Sequence, residues 1–238
     1  MISNLSQFPK VIILYGPPAA GKGTQTEFLK EYLPNYVHLD FGTEIRNFID
    51  KVKQSGPADI DYKRAINMEQ MMQTGPIDFV DLKYLVEKKI VEAIESGQGL
   101  IIEGPGRQLE EAYWFSKLLS QHNLSVTLFH LHLNLEDIIR RVKNRFYVPN
   151  STHPFPSYEE ALKACKAGEV PYQRAGDADV DKTVSRYRTL YKKVFAKILF
   201  VYQLEASAHI YAIDASESVE QVRSSIRIFL DKFYLPPE

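Results

Sequence analysis

The stretch from Val11 to Thr24 constrains the fold more than any other. Val11-Ile12-Ile13-Leu14-Tyr15 is apolar, β-branched and aromatic without polar alternation, the pattern of a strand buried on both faces of a parallel sheet. Gly16-Pro17-Pro18-Ala19-Ala20-Gly21-Lys22-Gly23-Thr24 follows at once, and then a helical run to Tyr32. This turn matches G-x-x-x-x-G-K, with Gly23 interposed before the hydroxyl residue Thr24, in the strand–loop–helix context the motif requires. Its glycines let backbone N–H groups converge on one point, and the helix that follows aims its positive end there. Lys22 adds a full charge suited to β- and γ-phosphates, and Thr24 faces the metal side of such a group. The motif predicts a nucleoside triphosphate site and leaves open what is done with it.

Three further runs read as buried strands: Gly99 to Glu103, Val126 to Leu133 and His209 to Ile213. The shorter Tyr36 to Leu39 makes a fifth. Between them lie segments of helical period: Lys22–Tyr32, Leu82–Ile94, Leu135–Arg145, Val180–Ala206 and Val219–Phe233. Strands alternating with helices imply an α/β protein on a parallel sheet. Two stretches do not fit that alternation. Residues 42–80 hold helical pieces but no strand, with Met68, Met71 and Met72 suggesting a flexible apolar face. Residues 146–176 are rich in turn formers, among them Pro149, Pro154, Pro156, Gly168 and Pro171. Both read as mobile insertions on one core domain, which comprises 1–41, 81–145 and 177–238.

Five blocks in fixed order, the phosphate loop first, carry a resemblance. Gly16 to Gln25 (GPPAAGKGTQ) resembles the GxPGxGKGTQ loop of adenylate kinases and related nucleoside monophosphate kinases. Asp40-Phe41-Gly42-Thr43-Glu44-Ile45-Arg46 looks like that family's S-T-G-D-x-x-R, and Gly75 with the helix start after it looks like its G-x-x-V turn. Leu100 to Arg107 looks like I-L-D-G-F-P-R, and Arg141, Arg145, Arg174 and Asp177 are similar to the residues bracketing its lid. The resemblance spans about residues 10–232. It implies a three-layer P-loop kinase fold, a five-stranded parallel sheet flanked by helices, with 42–80 as the monophosphate-binding insertion and 146–176 as the lid.

The implied reaction is reversible transfer of a phosphoryl group from ATP·Mg²⁺ to a nucleoside monophosphate. Such a transfer brings two anionic groups together, and its catalysis is mostly positioning and charge stabilisation. Guanidinium groups suit that task because they bind phosphate oxygens in pairs and never deprotonate. The acceptor phosphate is itself the nucleophile, so no His–Asp pair is needed. By resemblance, Gly16, Pro18, Ala19, Ala20, Gly21, Lys22, Gly23, Thr24 and Gln25 hold the triphosphate, with Arg141 near its base. Phe41, Gly42, Arg46, Gly104, Arg107 and Glu111 form the monophosphate side, Arg107 also reaching the transferred group. Arg145, Arg174 and Arg186 join Lys22 and Arg107 as catalytic cations. Glu103 holds a water on Mg²⁺ beside Thr24, or else pairs with Lys22.

The chain departs from the family's pattern at informative places. Ala19 stands where the loop usually has glycine, which suits only a residue without positive φ. Phe41 replaces a threonine, Thr43 an aspartate, and Pro105-Gly106 the usual Phe-Pro. The second post-lid arginine falls at Tyr187, between Arg186 and Arg188; Arg186 is the expectation, with Arg188 the alternative if the helix register shifts. Glu111 stands where adenylate kinases carry a glutamine. A carboxylate only accepts hydrogen bonds, so it suits an amino group but repels N1 of adenine and fits guanine better. A shifted helix would put Gln108 or Glu110 there instead. AMP leads as acceptor because the pattern as a whole is adenylate-like; guanylate or pyrimidine preference is the alternative.

Charge and composition bound the partners. With 29 basic and 30 acidic residues the net charge is −1, which excludes a generally basic surface for nucleic acid or anionic membrane. Of the 11 arginines, six would line one cleft with Lys22, so neutrality is compatible with two small polyphosphates. Cys165 is the one cysteine; with only His153 near it in sequence, no structural zinc site is expected. No run approaches the roughly 18 apolar residues of a membrane span. The expectation is a cytoplasmic monomer. Two rivals remain at this level: another small-molecule P-loop kinase, and a nucleotide-binding regulatory module without turnover.

Overall fold

The structure, a computed structural model, describes residues 10–74, 77–105, 108–149, 154–173 and 179–234. The chain runs β1 (Val11–Tyr15), α1 (Lys22–Tyr32), β2 (Tyr36–Asp40), α2 (Phe41–Ser55), α3 (Tyr62–Thr74), α4 (Phe79–Glu95), β3 (Gly99–Glu103) and α5 (Leu109–Gln121). It continues through β4 (Val126–His132), α6 (Leu135–Lys143), α7 (Tyr158–Ala164) and α8 (Val180–Arg186). A π-helical turn (Tyr187–Lys192), α9 (Phe195–Glu205), β5 (His209–Asp214) and α10 (Val219–Tyr234) complete it. The five strands form one parallel sheet in the order β2-β3-β1-β4-β5. β1 is therefore central, and its carboxyl end is where an open α/β sheet binds ligands.

Side chains of β1 alternate between two cores. Val11, Ile13 and Tyr15 face a cluster with α2, α3, α4, α5 and α9, through residues such as Ile45, Met68, Val86, Phe115 and Tyr202. Ile12 and Leu14 face a second cluster with Leu29 of α1, Ile138 of α6 and Ile226 of α10. Both faces of the sheet are thus covered, which gives the three-layer P-loop kinase architecture and explains why β1 is apolar at every position. Full burial of each such side chain contributes roughly 1.5–3 kcal/mol.

The expected strands and most expected helices are present, with two differences. Residues 180–206 form no single helix: α8 passes into the π-helical turn before α9 begins. That turn carries Tyr191 into the core, where its Oη shares a 2.6 Å hydrogen bond with His130 Nε2. One residue too many per turn is the cost of that contact. Met68 is fully buried, so one of the three methionines expected on a flexible face belongs to the core.

Residues 42–80 contribute the rest of α2, α3 and the start of α4. The segment after α6 makes antiparallel bridges, Phe146 to Phe155 and Tyr147 to Tyr172, around α7. No helix among the described residues is long and apolar enough to cross a membrane.

Candidate active site

The phosphate loop joins the buried end of β1 to α1. A Cβ on Gly16 would lie 2.4 Å from the Leu131 carbonyl oxygen of β4, so only glycine lets the loop leave the sheet there. Gly21, at the N-cap of α1, has φ 84°, a left-handed conformation that glycine adopts without steric cost. Lys22 Nζ donates to the carbonyls of Gly16 at 3.0 Å and Pro17 at 2.8 Å. The ammonium is therefore held over the mouth of the loop. Gln25 is buried, and its Nε2 donates to the Val219 carbonyl at 3.2 Å, tying α1 to α10. Thr24 is exposed at the loop's end. Ala19 has φ 61°. The expectation that alanine is accommodated there without positive φ is thus corrected: the loop's geometry is kept and the alanine carries the strain, about 1–2 kcal/mol.

At the carboxyl end of β2, Asp40 caps α2. Its carboxylate accepts from the backbone N–H of Gly42 at 3.1 Å and of Thr43 at 3.2 Å. Thr43 Oγ1 also donates to it at 2.5 Å, and Arg46 donates to Thr43 Oγ1 at 2.7 Å and to Asp40 at 3.4 Å. The carboxylate that position 43 lacks is thereby supplied from position 40, and it orients Arg46. Sequence reasoning assigned Arg46 but missed Asp40, although an aspartate immediately before a helix is an N-cap signal.

Phe41, Ile45, Ile77, Leu82, Gly104, Gln108 and Glu111 line a cavity between the 42–80 insertion and the start of α5. Phe41 is buried and meets Phe115 edge-on, ring centroids 6.1 Å apart. Glu111, only 1% exposed, faces this cavity from the first turn of α5. Glu110 is exposed. Gln108 lines the cavity as well, with Nε2 donating to the Ile77 carbonyl at 2.7 Å. Burial pushes the phenols of Tyr15 and Tyr202 above the usual range, and the nearby Glu111 charge adds to the effect.

Glu103, nearly buried at the end of β3, sits 3.0 Å from His38 Nε2. The partner found for Glu103 is thus His38, while Lys22 Nζ donates to the loop carbonyls of Gly16 and Pro17. No sequence signal marks His38, because only the β2–β3 register brings the two together. On the other side of β1, Arg141 donates to the carbonyls of Ala19 at 3.3 Å and Ala215 at 2.6 Å. Burial lowers its pKa from the usual guanidinium value, opposed by Asp137. Arg145 lies with its guanidinium 5.8 Å from the Tyr147 ring centre. Arg186 is half-buried and donates to the Met72 carbonyl at 3.1 Å, while Arg188 is exposed. Arg107, Arg174, Gly75, Gly106, His153 and Asp177 lie outside the described residues.

Thr24 and Glu103 offer a hydroxyl and a carboxylate, the hard oxygen donors that Mg²⁺ takes. A magnesium ion carried by substrate phosphates needs only one or two such protein oxygens beside water. The donor chemistry therefore fits.

A glycine loop with a lysine at the end of a central parallel strand, helices on both faces and a second cavity beside it define a P-loop nucleotide kinase fold. A family model described as an AAA domain matches residues 15–149, more than half of the chain, and the chain belongs to that P-loop family. It is similar over most of its length to adenylate kinases. That of Chlamydia felis is 26% identical over 214 residues, covering 90% of this chain and 94% of the relative. Those of Chlamydia abortus (27%, 80% and 84%) and Pelagibacter ubique (25%, 92% and 98%) are comparable.

Proposed function

We propose that the chain transfers the γ-phosphoryl group of ATP reversibly to the phosphate of a nucleoside monophosphate, giving two nucleoside diphosphates. The observation that carries this reading is the pairing of two phosphate-binding elements on one sheet edge. Lys22 and its loop stand at the end of β1, Arg46 with Asp40 at the end of β2, with only β3 between them. A hydrolase or a kinase acting on an uncharged hydroxyl needs the first element and not the second.

In this reading the loop amides and Lys22 hold the β- and γ-phosphates, and Arg141, pinned between Ala19 and Ala215, borders the donor base. Arg46 and Arg107 hold the acceptor phosphate and keep its oxygen in line with the γ-phosphorus. Arg145, Arg174 and Arg186 close over the transferred group. Thr24 directly, and Glu103 through water, would hold Mg²⁺, which supplies neutralisation of charge on the phosphate oxygens. Residues 42–80 and 146–176 close over the two substrates and exclude water, which otherwise diverts the phosphoryl group to hydrolysis. The relatives it resembles are named adenylate kinases, and the base of the acceptor is read from the cavity that Glu111 lines.

A coupled assay of ADP formation from Mg·ATP, with AMP, GMP, CMP, UMP and dTMP in turn, tests the reading. ADP appears only when a monophosphate is present. Lys22→Ala lowers kcat/KM at least about 10²-fold, roughly 3 kcal/mol of transition-state stabilisation. ADP formed equally well without any monophosphate would overturn the proposal.

A further inference from the structure

The cavity beside the phosphate site is apolar on the insertion side and ends in a carboxylate on the other. Phe41, Ile45, Ile77 and Leu82 supply flat or branched hydrocarbon, and Glu111 and Gln108 supply its polar side chains. Glu111 belongs to the first turn of α5 and is buried. Its two oxygens accept hydrogen bonds and donate none. Gln108, fixed through its Nε2 to Ile77, ties the two walls together. A planar heterocycle that enters this cavity meets hydrocarbon on its faces and an acceptor-only group at its edge.

The five common bases differ at that edge. Guanine presents N1–H and the N2 amino group side by side, two donors matched to two carboxylate oxygens. Adenine sets one amino group beside the bare N1 lone pair, and cytosine sets one beside N3. Uracil and thymine carry a single N3–H between two carbonyls. Against Glu111 each of these four places at least one acceptor opposite an anion, a repulsion in a site of low dielectric. Charge-assisted hydrogen bonds are about twice as strong as neutral ones. Sites built on a polar match reject the mismatched analogue far more strongly than sites built on shape.

We propose that Glu111 makes the acceptor site selective for guanine nucleotides, GMP ahead of AMP, with Phe41 as the apolar wall against which the base lies. The inference rests on the monophosphate kinase reading and deepens it. The reaction balances as before: a phosphate oxygen of GMP attacks the γ-phosphorus of ATP, the bond to the β–γ bridging oxygen breaks, and GDP and ADP leave. The cavity has a volume of about 10 Å³, room for about one water. A base enters only as the 42–80 insertion moves off α5.

The test is kcat/KM for GMP, IMP and AMP at saturating Mg·ATP, on the wild type and on Glu111→Gln. IMP keeps N1–H but lacks the amino group, so the expected order is GMP, then IMP, then AMP. The Gln variant, whose amide can donate to N1 of adenine, lowers the GMP-to-AMP ratio at least tenfold. Thermal unfolding and Mg·ATP affinity of the variant establish that it is folded. AMP used better than GMP by the wild type would overturn the inference and leave the kinase reading standing. So would an unchanged ratio in the folded variant. No ADP from any acceptor would overturn the kinase reading and this inference with it.

Discussion

Ala19 shows how one residue records what the phosphate loop demands. Its φ of 61° is a conformation that costs alanine about 1–2 kcal/mol and glycine nothing. The loop holds that shape because the amides around it must converge, not because its sequence favours it. Ala19→Gly relieves the strain, while the freer unfolded chain takes back part of the gain. A net stabilisation of about 0.5–1 kcal/mol, or a Tm raised by about 1–3 °C, is expected from thermal denaturation. A lowered Tm would contradict the strained geometry. Residues of this kind were only half legible in the sequence. Glycine's absence at position 19 was visible; the φ that makes it matter is a property of the folded loop. Glu111 was legible as a departure, but its burial in the cavity depends on the phase of α5, which spacing alone left open among Gln108, Glu110 and Glu111.

At the scale of elements, the start of α2 is built on Asp40. The capping bonds to Gly42 and Thr43 satisfy backbone donors that the helix leaves open, and the same carboxylate steers Arg46. Asp40→Ala should therefore cost about 1–2 kcal/mol in urea unfolding, whereas Asp40→Asn keeps the cap and most of the stability. Equal unfolding midpoints for the two variants would contradict the capping role. The strands were legible almost to the residue: β1 and β3 are buried at every position, and the others still carry enough β-branched and aromatic residues to stand out. The helix expected over 180–206 was not, because helical spacing persists on both sides of the π-helical turn. What interrupts it is the tertiary bond between Tyr191 and His130, 61 positions apart. The arginines were legible as types in order, and the structure adds what each one touches: Arg46 an aspartate and a threonine, Arg141 two loop carbonyls, Arg186 the end of α3.

For the molecule as a whole, the buried pair of His130 and Tyr191 links stability to pH. Burial, helped by the nearby charge of His132, pulls the His130 pKa down from 6.5 to about 4. Between those values the unfolded chain binds a proton that the folded one refuses. Stability from this group is therefore complete above pH 6.5 and lost as pH falls toward 4, on the order of 2–3 kcal/mol. His130→Gln, whose amide does not titrate, should show a correspondingly shallower loss of unfolding free energy between pH 7 and pH 4. Identical slopes would contradict a neutral His130 in the folded core.

The charge balance of the molecule also takes its meaning at this scale. The net charge of −1 is a sum over the whole chain, and it leaves room for local cations such as Lys22 just after β1 and Arg46 near the start of α2. Such a distribution suits two small polyphosphates. Transfer between them is tested by phosphorus NMR of the protein with Mg·ATP and an equimolar mixture of nucleoside monophosphates. Two diphosphate signals, ADP and the acceptor's own, should grow as the ATP γ-phosphate is lost, with little free phosphate. Free phosphate accumulating in place of a second diphosphate, or no change at all, would contradict it.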